Sequence, residues 1–238
     1  MRYSGGSVLT TLKASTAVEV QSAQIDVLIR GPERVPEFEN LGVGVIVFTS
    51  LDETEFIRKL ASDYDGEHWE GSQEDSSLTA YKQRTTDLAV FRTGMDLSVK
   101  TTIIMAPTIF GIGTGPVNRL SIQIPALIRR ALHYGHAVVI GDGQAEWDHV
   151  HIADLVTLFE LVLVKVLKGE DVPYGAKGLL FAETGRHTWM DVSRGIAAAG
   201  SELGLLATDE VRSVSLPEAA AWASNGNAQV RELGFASK

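Results

Sequence analysis

The fold of this chain is decided by KTTIIMAPTIFGIG, residues 100–113, and by VVIGDGQAEWDHVHIADL, residues 138–155. The first stretch predicts a buried strand over residues 101–106 that ends at Pro107 and opens into a glycine-rich loop. The second predicts a short strand, a Gly-Asp-Gly turn and an aromatic, histidine-containing segment that leads into a helix. With a helical run between them, the two stretches are typical of an α/β fold built on a parallel sheet.

Composition narrows the class of protein. The chain has 238 residues, of which 45% are hydrophobic, so it can bury the core of one compact domain, or of a domain with a small lobe. Its net charge of −9 repels phosphate backbones, which excludes nucleic acid as an expected partner. The absence of cysteine excludes disulfides and thiolate zinc sites. No signal peptide is apparent, and the most apolar run, residues 155–167, is too short to span a bilayer, so we expect a cytoplasmic protein without membrane contact.

Upstream of residue 100 the pattern starts as a doubly wound sheet and then stops. Two apolar strands are predicted over residues 25–30 and 43–49, and a helix over 53–62. Residues 63–79 are acidic and rich in serine and glycine, which predicts a loop. A helix is predicted over 81–97. Further elements are predicted downstream: a helix over 122–134, strands over 137–140 and 178–181, a helix starting at Thr188 or Asp191, and a last helix at Leu216-Pro217-Glu218.

Two motifs carry a family resemblance. Residues 147–155, WDHVHIADL, resemble a segment of the extended short-chain dehydrogenase/reductase family, the NAD(P)-dependent epimerases and dehydratases. Residues 107–111, PTIFG, resemble the proline, aliphatic, aromatic and glycine pattern that begins the substrate lobe of that family. The resemblance implies a Rossmann-like fold with an NAD(P)-binding portion at residues 1–110. It also implies a substrate lobe at 111–238, intermingled with the last Rossmann strands at about 137–140 and 178–181.

The same resemblance assigns a cofactor, NAD or NADP, and the residues that bind it. Residues 1–6 resemble the end of a glycine-rich turn that approaches the pyrophosphate, with the helix starting at Ser7. Arg30 stands where relatives bind a 2′-phosphate, although a solvated arginine at a strand end is the alternative. Asp52 stands at the adenine edge and equally suits a helix N-cap. The full set of implied cofactor residues is Tyr3, Gly5, Gly6, Arg30, Asp52, Pro107, Thr108 and Ile109.

The implied substrate residues are Asn118, Trp147 and His149, which would contact a small carbonyl or alcohol compound. His149 and His151 stand two residues apart, a spacing at which two imidazoles can share a metal ion. No cysteine and no helical His-x-x-x-His accompany them, so we expect no metal site.

Catalysis in this family needs a tyrosine with a lysine four residues later, one helical turn away, to lower the tyrosine pKa and bind the ribose. Tyr81 is the best candidate here, but its fourth successor is Thr85. Arg84, at the third position, could partly substitute as the cation. Relatives often dimerise through this helix, so residues 81–97 are the segment expected to form a homodimer contact.

The upstream half has no room for the first strand and the central strands of the family sheet. We therefore expect an incomplete sheet and favour a shortened version of a longer enzyme over a reduced remnant. The leading hypothesis is an NAD(P)-binding oxidoreductase or epimerase-like protein. The alternatives are a non-catalytic nucleotide-binding sensor, which the missing lysine favours, and a degenerate product without function.

Overall fold

The computed structural model of the chain describes residues 3–48 and 82–221. Its helices are α1 (Tyr3–Ala14), α2 (Val18–Gln21), α3 (Val35–Glu39), α4 (Lys82–Asp96), α5 (Gln123–Tyr134), α6 (Ile152–Leu167), α7 (Trp189–Glu202) and α8 (Leu216–Ala221). Its strands are β1 (Asp26–Arg30), β2 (Gly44–Phe48), β3 (Ile103–Met105), β4 (Thr108–Phe110), β5 (Ala137–Ile140), β6 (Glu146–His151), β7 (Leu179–Phe181), β8 (Gly185–Thr188) and β9 (Val211–Val214). Short 3-10 turns lie at Pro32–Arg34 and Gly175–Lys177.

The described strands form four small sheets, three of them parallel pairs. β1 pairs with β2, β3 with β7, and β5 with β9, while β4, β6 and β8 form a three-stranded sheet in which β8 runs antiparallel. Among the described residues, no ladder joins the β1–β2 pair to the β3–β7 pair. The predicted α/β fold with parallel strands is confirmed, and the pairing of the described strands is compatible with the predicted incomplete sheet.

The chain folds into two compact units. The first unit comprises residues 1–12, 106–159 and 182–238, and the second comprises residues 13–105 and 160–181. Each of the described strands lies entirely in one unit, with β1, β2, β3 and β7 in the second. The predicted division into a cofactor-binding portion and a substrate lobe at residue 110 stays a prediction.

The first unit is organised around the β5–β9 pair. Trp189 of α7, Leu127 of α5 and Val139 of β5 form one buried cluster, because the apolar faces of both helices pack on the same strand. Helix α5 ends at Gly135, whose left-handed φ of 74° lets its amide bond to the Ala131 carbonyl at 2.9 Å.

Helix α7 starts with a reciprocal cap. The Asp191 amide donates to the Thr188 hydroxyl at 3.0 Å, and the Thr188 amide donates to the Asp191 carboxylate at 3.1 Å. The predicted start at Thr188 or Asp191 is thereby confirmed, with Thr188 as the N-cap and Asp191 as its partner.

Two predictions of local structure need correction and one needs an addition. The predicted strand at residues 101–106 is the shorter β3, and a second strand, β4, follows directly after Pro107. Proline lacks an amide donor, so the ladder breaks there and the chain crosses into a different sheet. Residues 137–140 form a strand as predicted, but they pair with β9, a strand that the sequence did not predict. Helix α1 begins at Tyr3 rather than Ser7.

Candidate functional site

The two motifs found in the sequence lie side by side in the first unit. β4 and β6 are parallel neighbours, with Thr108 opposite His149 and Phe110 opposite His151. The Phe110 ring makes T-shaped contacts with two histidine rings, at centroid distances of 5.4 Å to His149 and 5.1 Å to His151. The segment that follows Pro107 and the histidine-containing segment are therefore neighbours in one sheet.

Helix α1 is tied to the loop that follows β4 by three hydroxyl groups. The Tyr3 hydroxyl lies 3.0 Å from the Phe110 carbonyl oxygen and 2.8 Å from that of Gly111. The Ser7 hydroxyl accepts a hydrogen bond from the Thr114 amide at 3.1 Å. Thr10 donates to the Thr114 carbonyl at 3.3 Å. Residues 3, 7 and 10 share one face of a helix, so all three can reach the same loop.

Glycines make this close approach possible. A Cβ on Gly115 would lie 2.9 Å from the backbone carbon of Gly6 and 3.0 Å from its Cα. A Cβ on Gly113 would lie 2.6 Å from the Ser7 hydroxyl. The glycines of this loop therefore serve the contact with α1.

Tyr3 and Gly6 belong to this structural contact, whereas Gly5 is exposed in the same helical turn, and cofactor binding by these residues stays a prediction. Tyr3–Gly6 form the first turn of α1 and do not form a turn before it. The Tyr3 side chain is 6% exposed, and burial raises the pKa of Tyr3 to about 12, which keeps its hydroxyl protonated at neutral pH. Anchoring of Tyr3 to the loop explains why the helix starts four residues earlier than predicted.

Among the predicted cofactor residues whose side chains the structure describes, Thr108 has an unmet polar group. Its side chain is 1% exposed, and its hydroxyl has no hydrogen-bond partner among the residues that the structure describes. A buried hydroxyl without a partner costs roughly 1–3 kcal/mol. Such a group is a candidate for contact with a ligand.

Two imidazoles meet on the neighbouring strands β6 and β8. The Nδ1 atoms of His149 and His187 lie 3.0 Å apart. His187 also makes a T-shaped contact with Trp189, at a centroid distance of 5.0 Å. Burial, and secondarily the neighbouring His149, lower the pKa of His187. At neutral pH the His187 imidazole is therefore uncharged.

The charged groups nearby are paired with one another. Arg186 donates to the Asp148 carboxylate at 2.7 Å, and this bond holds the pKa of Asp148 below its usual range. The bonds from Thr188 lower the pKa of Asp191 in the same way. Because side chains alternate along a strand, Asp148 faces away from His149.

Other predicted site residues have structural partners. The Asn118 side chain accepts from the Leu120 amide at 3.1 Å. Arg119 donates to the Gly113 carbonyl at 2.7 Å, and the Gly113 amide donates to the Arg119 carbonyl at 2.9 Å, so the loop is closed on itself. Trp147 packs against the Trp189 cluster. Substrate contact by Asn118, Trp147 and His149 stays a prediction.

The remaining predicted residues differ in how much of each the structure describes. Tyr81 and Asp52, and the helix predicted at 53–62, lie outside the described residues. Arg30 ends β1 and Arg84 lies in α4, but their side chains are not described. Pro107 and Ile109 flank Thr108, with Ile109 opposite Val150.

Sequence reasoning missed His187, Ser7 and Thr10. The spacing of Tyr3, Ser7 and Thr10 on one helical face was readable in the sequence, but their partners were not. Within residues 3–48 and 82–221, no helix combines the length and apolar character that crossing a bilayer requires. In that same part of the chain, no three potential ligands from His, Asp or Glu converge as a metal site would need.

Comparison with known proteins adds a family match over part of the chain and a fold. Residues 65–175 match the NAD dependent epimerase/dehydratase family. Oxidase ucsJ from an Acremonium species is 29% identical over 133 residues, a match that covers 52% of this chain and 38% of that protein. The chain therefore spans well under half the length of this curated relative.

Two crystal structures share the fold. One is the dTDP-glucose 4,6-dehydratase DesIV from Streptomyces venezuelae, with NAD and TYD bound: 15% identity, TM-score 0.54, covering 99% of this chain and 89% of that one. The other is a dTDP-glucose 4,6-dehydratase from Bacillus anthracis in complex with NAD: 12% identity, TM-score 0.52, covering 98% and 89%. These matches confirm the Rossmann-like fold predicted from the sequence.

Proposed function

We propose that this chain belongs to the NAD-dependent epimerase/dehydratase family, which its residues 65–175 match, that it binds a nicotinamide dinucleotide, and that it acts on a small carbonyl or alcohol substrate. The observation that carries the proposal is the buried, unpartnered hydroxyl of Thr108. It lies one residue after the proline at which this family begins to face the nicotinamide carboxamide. The carboxamide accepts hydrogen bonds through its carbonyl oxygen and donates them through its NH2 group.

The residues of the first unit fit such a cofactor in two respects. The Thr108 hydroxyl, which has no partner among the described residues, can donate a hydrogen bond to a carboxamide or accept one from it. Helix α1 has no acidic residue in its first turn, and Gly5 and Gly6 add no side chains there, so its amides remain compatible with a phosphate group. When bound, a nicotinamide ring exchanges a hydride with the substrate.

The assignment of Arg30 and Asp52 to the cofactor is part of this proposal. So is the division into a cofactor-binding portion at 1–110 and a substrate lobe at 111–238. A homodimer contact through residues 81–97 belongs to it as well. The two dehydratases of similar fold were crystallised with NAD, which supports NAD as the first cofactor to test.

Proton transfer is the part of the function with the weakest support in the sequence. Tyr81 is followed four residues later by Thr85, so the usual lysine is missing. That substitution favours a second candidate function, a sensor that binds the dinucleotide and does not turn over substrate. Turnover with a panel of aldehydes, ketones and alcohols separates the two, and Thr85→Lys is expected to raise any rate that depends on Tyr81.

Titration of NADH and NADPH, followed by nicotinamide fluorescence, tests binding. We expect saturable binding by the wild type and binding weaker by about 3- to 10-fold for Thr108→Val, since one hydrogen bond is lost while the shape is kept. Thr157→Val is the matched control, because the Thr157 hydroxyl bonds to the Ala153 carbonyl of its own helix. Absence of saturable binding at millimolar concentrations of both cofactors contradicts the proposal.

A further inference from the structure

His149 and His187 can share only one hydrogen between their facing nitrogen atoms. Their Nδ1 atoms are 3.0 Å apart, a distance at which one nitrogen must donate and the other accept. The arrangement therefore has two forms. In one, His187 donates and His149 accepts; in the other, the roles are reversed.

The far nitrogen of His187 distinguishes the two forms. His187 Nε2 is buried and has no hydrogen-bond partner in the described part of the chain. If His149 donated, His187 would carry its own hydrogen on Nε2, as a buried N–H without an acceptor. If His187 donates, only a lone pair is buried there. Buried donors without a partner are rarer in proteins than unpartnered acceptors, so the second form is favoured.

We propose that His187 fixes His149 as a neutral imidazole with its hydrogen on Nε2, and that this N–H binds an oxygen atom of the substrate. His187 acts as a positioning residue, and His149 contacts the ligand. A neutral imidazole donor polarises a carbonyl group without giving up its proton. The ligand is thus a small compound that presents a carbonyl or hydroxyl oxygen, and this part rests on the function proposed above.

The Nε2 edge of His149 is kept clear by a glycine. A Cβ on Gly185 would lie 2.8 Å from His149 Nε2. Any other residue at that position would cover the nitrogen that the proposal assigns to the substrate. Gly185 has no left-handed φ, so its lack of a side chain is not explained by backbone conformation.

Burial outweighs the charged groups that surround His187. On β6 and β8, the carboxylate of Asp148 is bonded to Arg186, which also lies 3.6 Å from Glu146. On α7, Asp191 is bonded to Thr188 and lies near Arg194. On β4, the neighbouring side chain is the uncharged Phe110. Of these groups, only the carboxylates of Asp191 and Asp148 favour a charge on His187, and burial outweighs them.

Nitrogen-15 NMR of the imidazole rings tests the proposed hydrogen position in the wild-type protein without any ligand. We expect His149 to carry its hydrogen on Nε2. His151 is an internal reference, because its Nδ1 accepts from the Ala153 amide at 3.2 Å and its hydrogen is thereby also placed on Nε2. A wild-type spectrum with the His149 hydrogen on Nδ1 overturns the proposal.

His187→Asp tests the cause of this arrangement. A carboxylate accepts and cannot donate, so His149 must turn to the Nδ1–H form while His151 stays unchanged. Modification by diethyl pyrocarbonate is a second readout, since the reagent needs a free lone pair on nitrogen. We expect His149 to resist it in the wild type and to react in the variant. Equal reactivity in both overturns the role of His187, and if the variant does not fold, the wild-type spectrum still decides.

Gly185→Ala tests the contact with substrate. Acetone, cyclohexanone and benzaldehyde serve as probes, added with NADH. We expect at least one to shift the His149 Nε2–H signal in the wild type and none to shift it in the variant, whose His149 tautomer is unchanged. If the tautomer is as proposed but no probe shifts the signal while NADH binds, the substrate contact is wrong. If NADH itself does not bind, the proposed function fails and the tautomer result stands by itself.

Discussion

The two compact units cover their strands to different degrees. In the first unit, Val139 of β5 and Val150 of β6 are each 1% exposed. In the second unit, Leu28 of β1 is 44% exposed and Phe181 of β7 is 71% exposed, although Phe38 of α3 is buried. Parallel strands are normally covered on both faces, and a two-stranded sheet is marginal without such cover. Within the described residues, the strands of the second unit are therefore the less completely covered.

The candidate site lies in the better packed unit. Thr108, His149 and His187 all belong to strands of the first unit, and the loop after β4 is held by hydroxyl groups of α1. Family resemblance and structural completeness thus coincide in one part of the chain. Ligand binding can therefore be tested in the first unit whatever the extent of the sheet in the second.

The largest expected effect separates the two units by their packing. Trp189→Ala removes the centre of a buried cluster and is expected to lower the free energy of unfolding by about 3–5 kcal/mol. Phe181→Ala removes a ring that is mostly exposed and is expected to change it by less than about 0.5 kcal/mol. Urea unfolding measures both. Similar losses for the two variants would remove the contrast between the units.

The next effect tests the contact between α1 and the loop. Gly115→Ala forces a methyl group against the Gly6 backbone, which cannot rotate away, and is expected to cost about 1–3 kcal/mol. Gly195→Ala in α7 is the control, since a methyl group there meets nothing within 4 Å and adds about 0.5–1 kcal/mol of stability. Thermal unfolding of both variants measures the difference. Stabilisation by Gly115→Ala would contradict the close approach.

Two buried hydroxyls of the first unit give effects of opposite sign. The Ser193 hydroxyl donates to the Val138 carbonyl at 2.9 Å, so Ser193→Ala removes a buried hydrogen bond and is expected to cost about 0.5–1.5 kcal/mol. Thr108→Val removes a hydroxyl without a partner and is expected to add about 1 kcal/mol in the absence of ligand. Unfolding without cofactor measures both. A loss of stability for Thr108→Val would show that its hydroxyl is already bonded.

Strong local signals in the sequence predicted the fold best. The predicted bounds of β5 agree with the structure, and those of α5 differ by one residue, because an amphipathic run ending at Gly135 defines the helix locally. The strands β4, β6, β8 and β9 were not predicted. Three of them, β4, β8 and β9, are three or four residues long, and β8 reads Gly-Arg-His-Thr, without any apolar alternation. Such strands form because a neighbour pairs with them, which one segment does not reveal.

The site divides in the same way. Thr108 and His149 were identified because they lie in motifs with a family resemblance. The partner of His149 lies 38 residues further along the chain and meets it only through the antiparallel register of β6 and β8. Nothing in the local sequence around His187 fixes that register. The orphaned hydroxyl of Thr108 is likewise a property of packing, since a threonine in a strand usually finds a partner.

The smallest expected effect concerns pH and belongs to the first unit alone. The unfolded chain takes up a proton at His187 as pH falls through the ordinary pKa of about 6.5, whereas the folded chain, whose His187 pKa is lowered, resists it. The unfolded state then binds more protons, so the His187 contribution to stability is fully present above this pH and declines as pH falls below it.

Urea unfolding between about pH 7.5 and about pH 5 should show this decline in the wild type and a smaller decline in His187→Phe. Glu218→Gln is the control: the bonds from Ser215 lower the pKa of Glu218 from 4.5, so its contribution is lost only at more acid pH. A decline that persists in His187→Phe would place the responsible group elsewhere and would weaken the case for a neutral pair at His149 and His187.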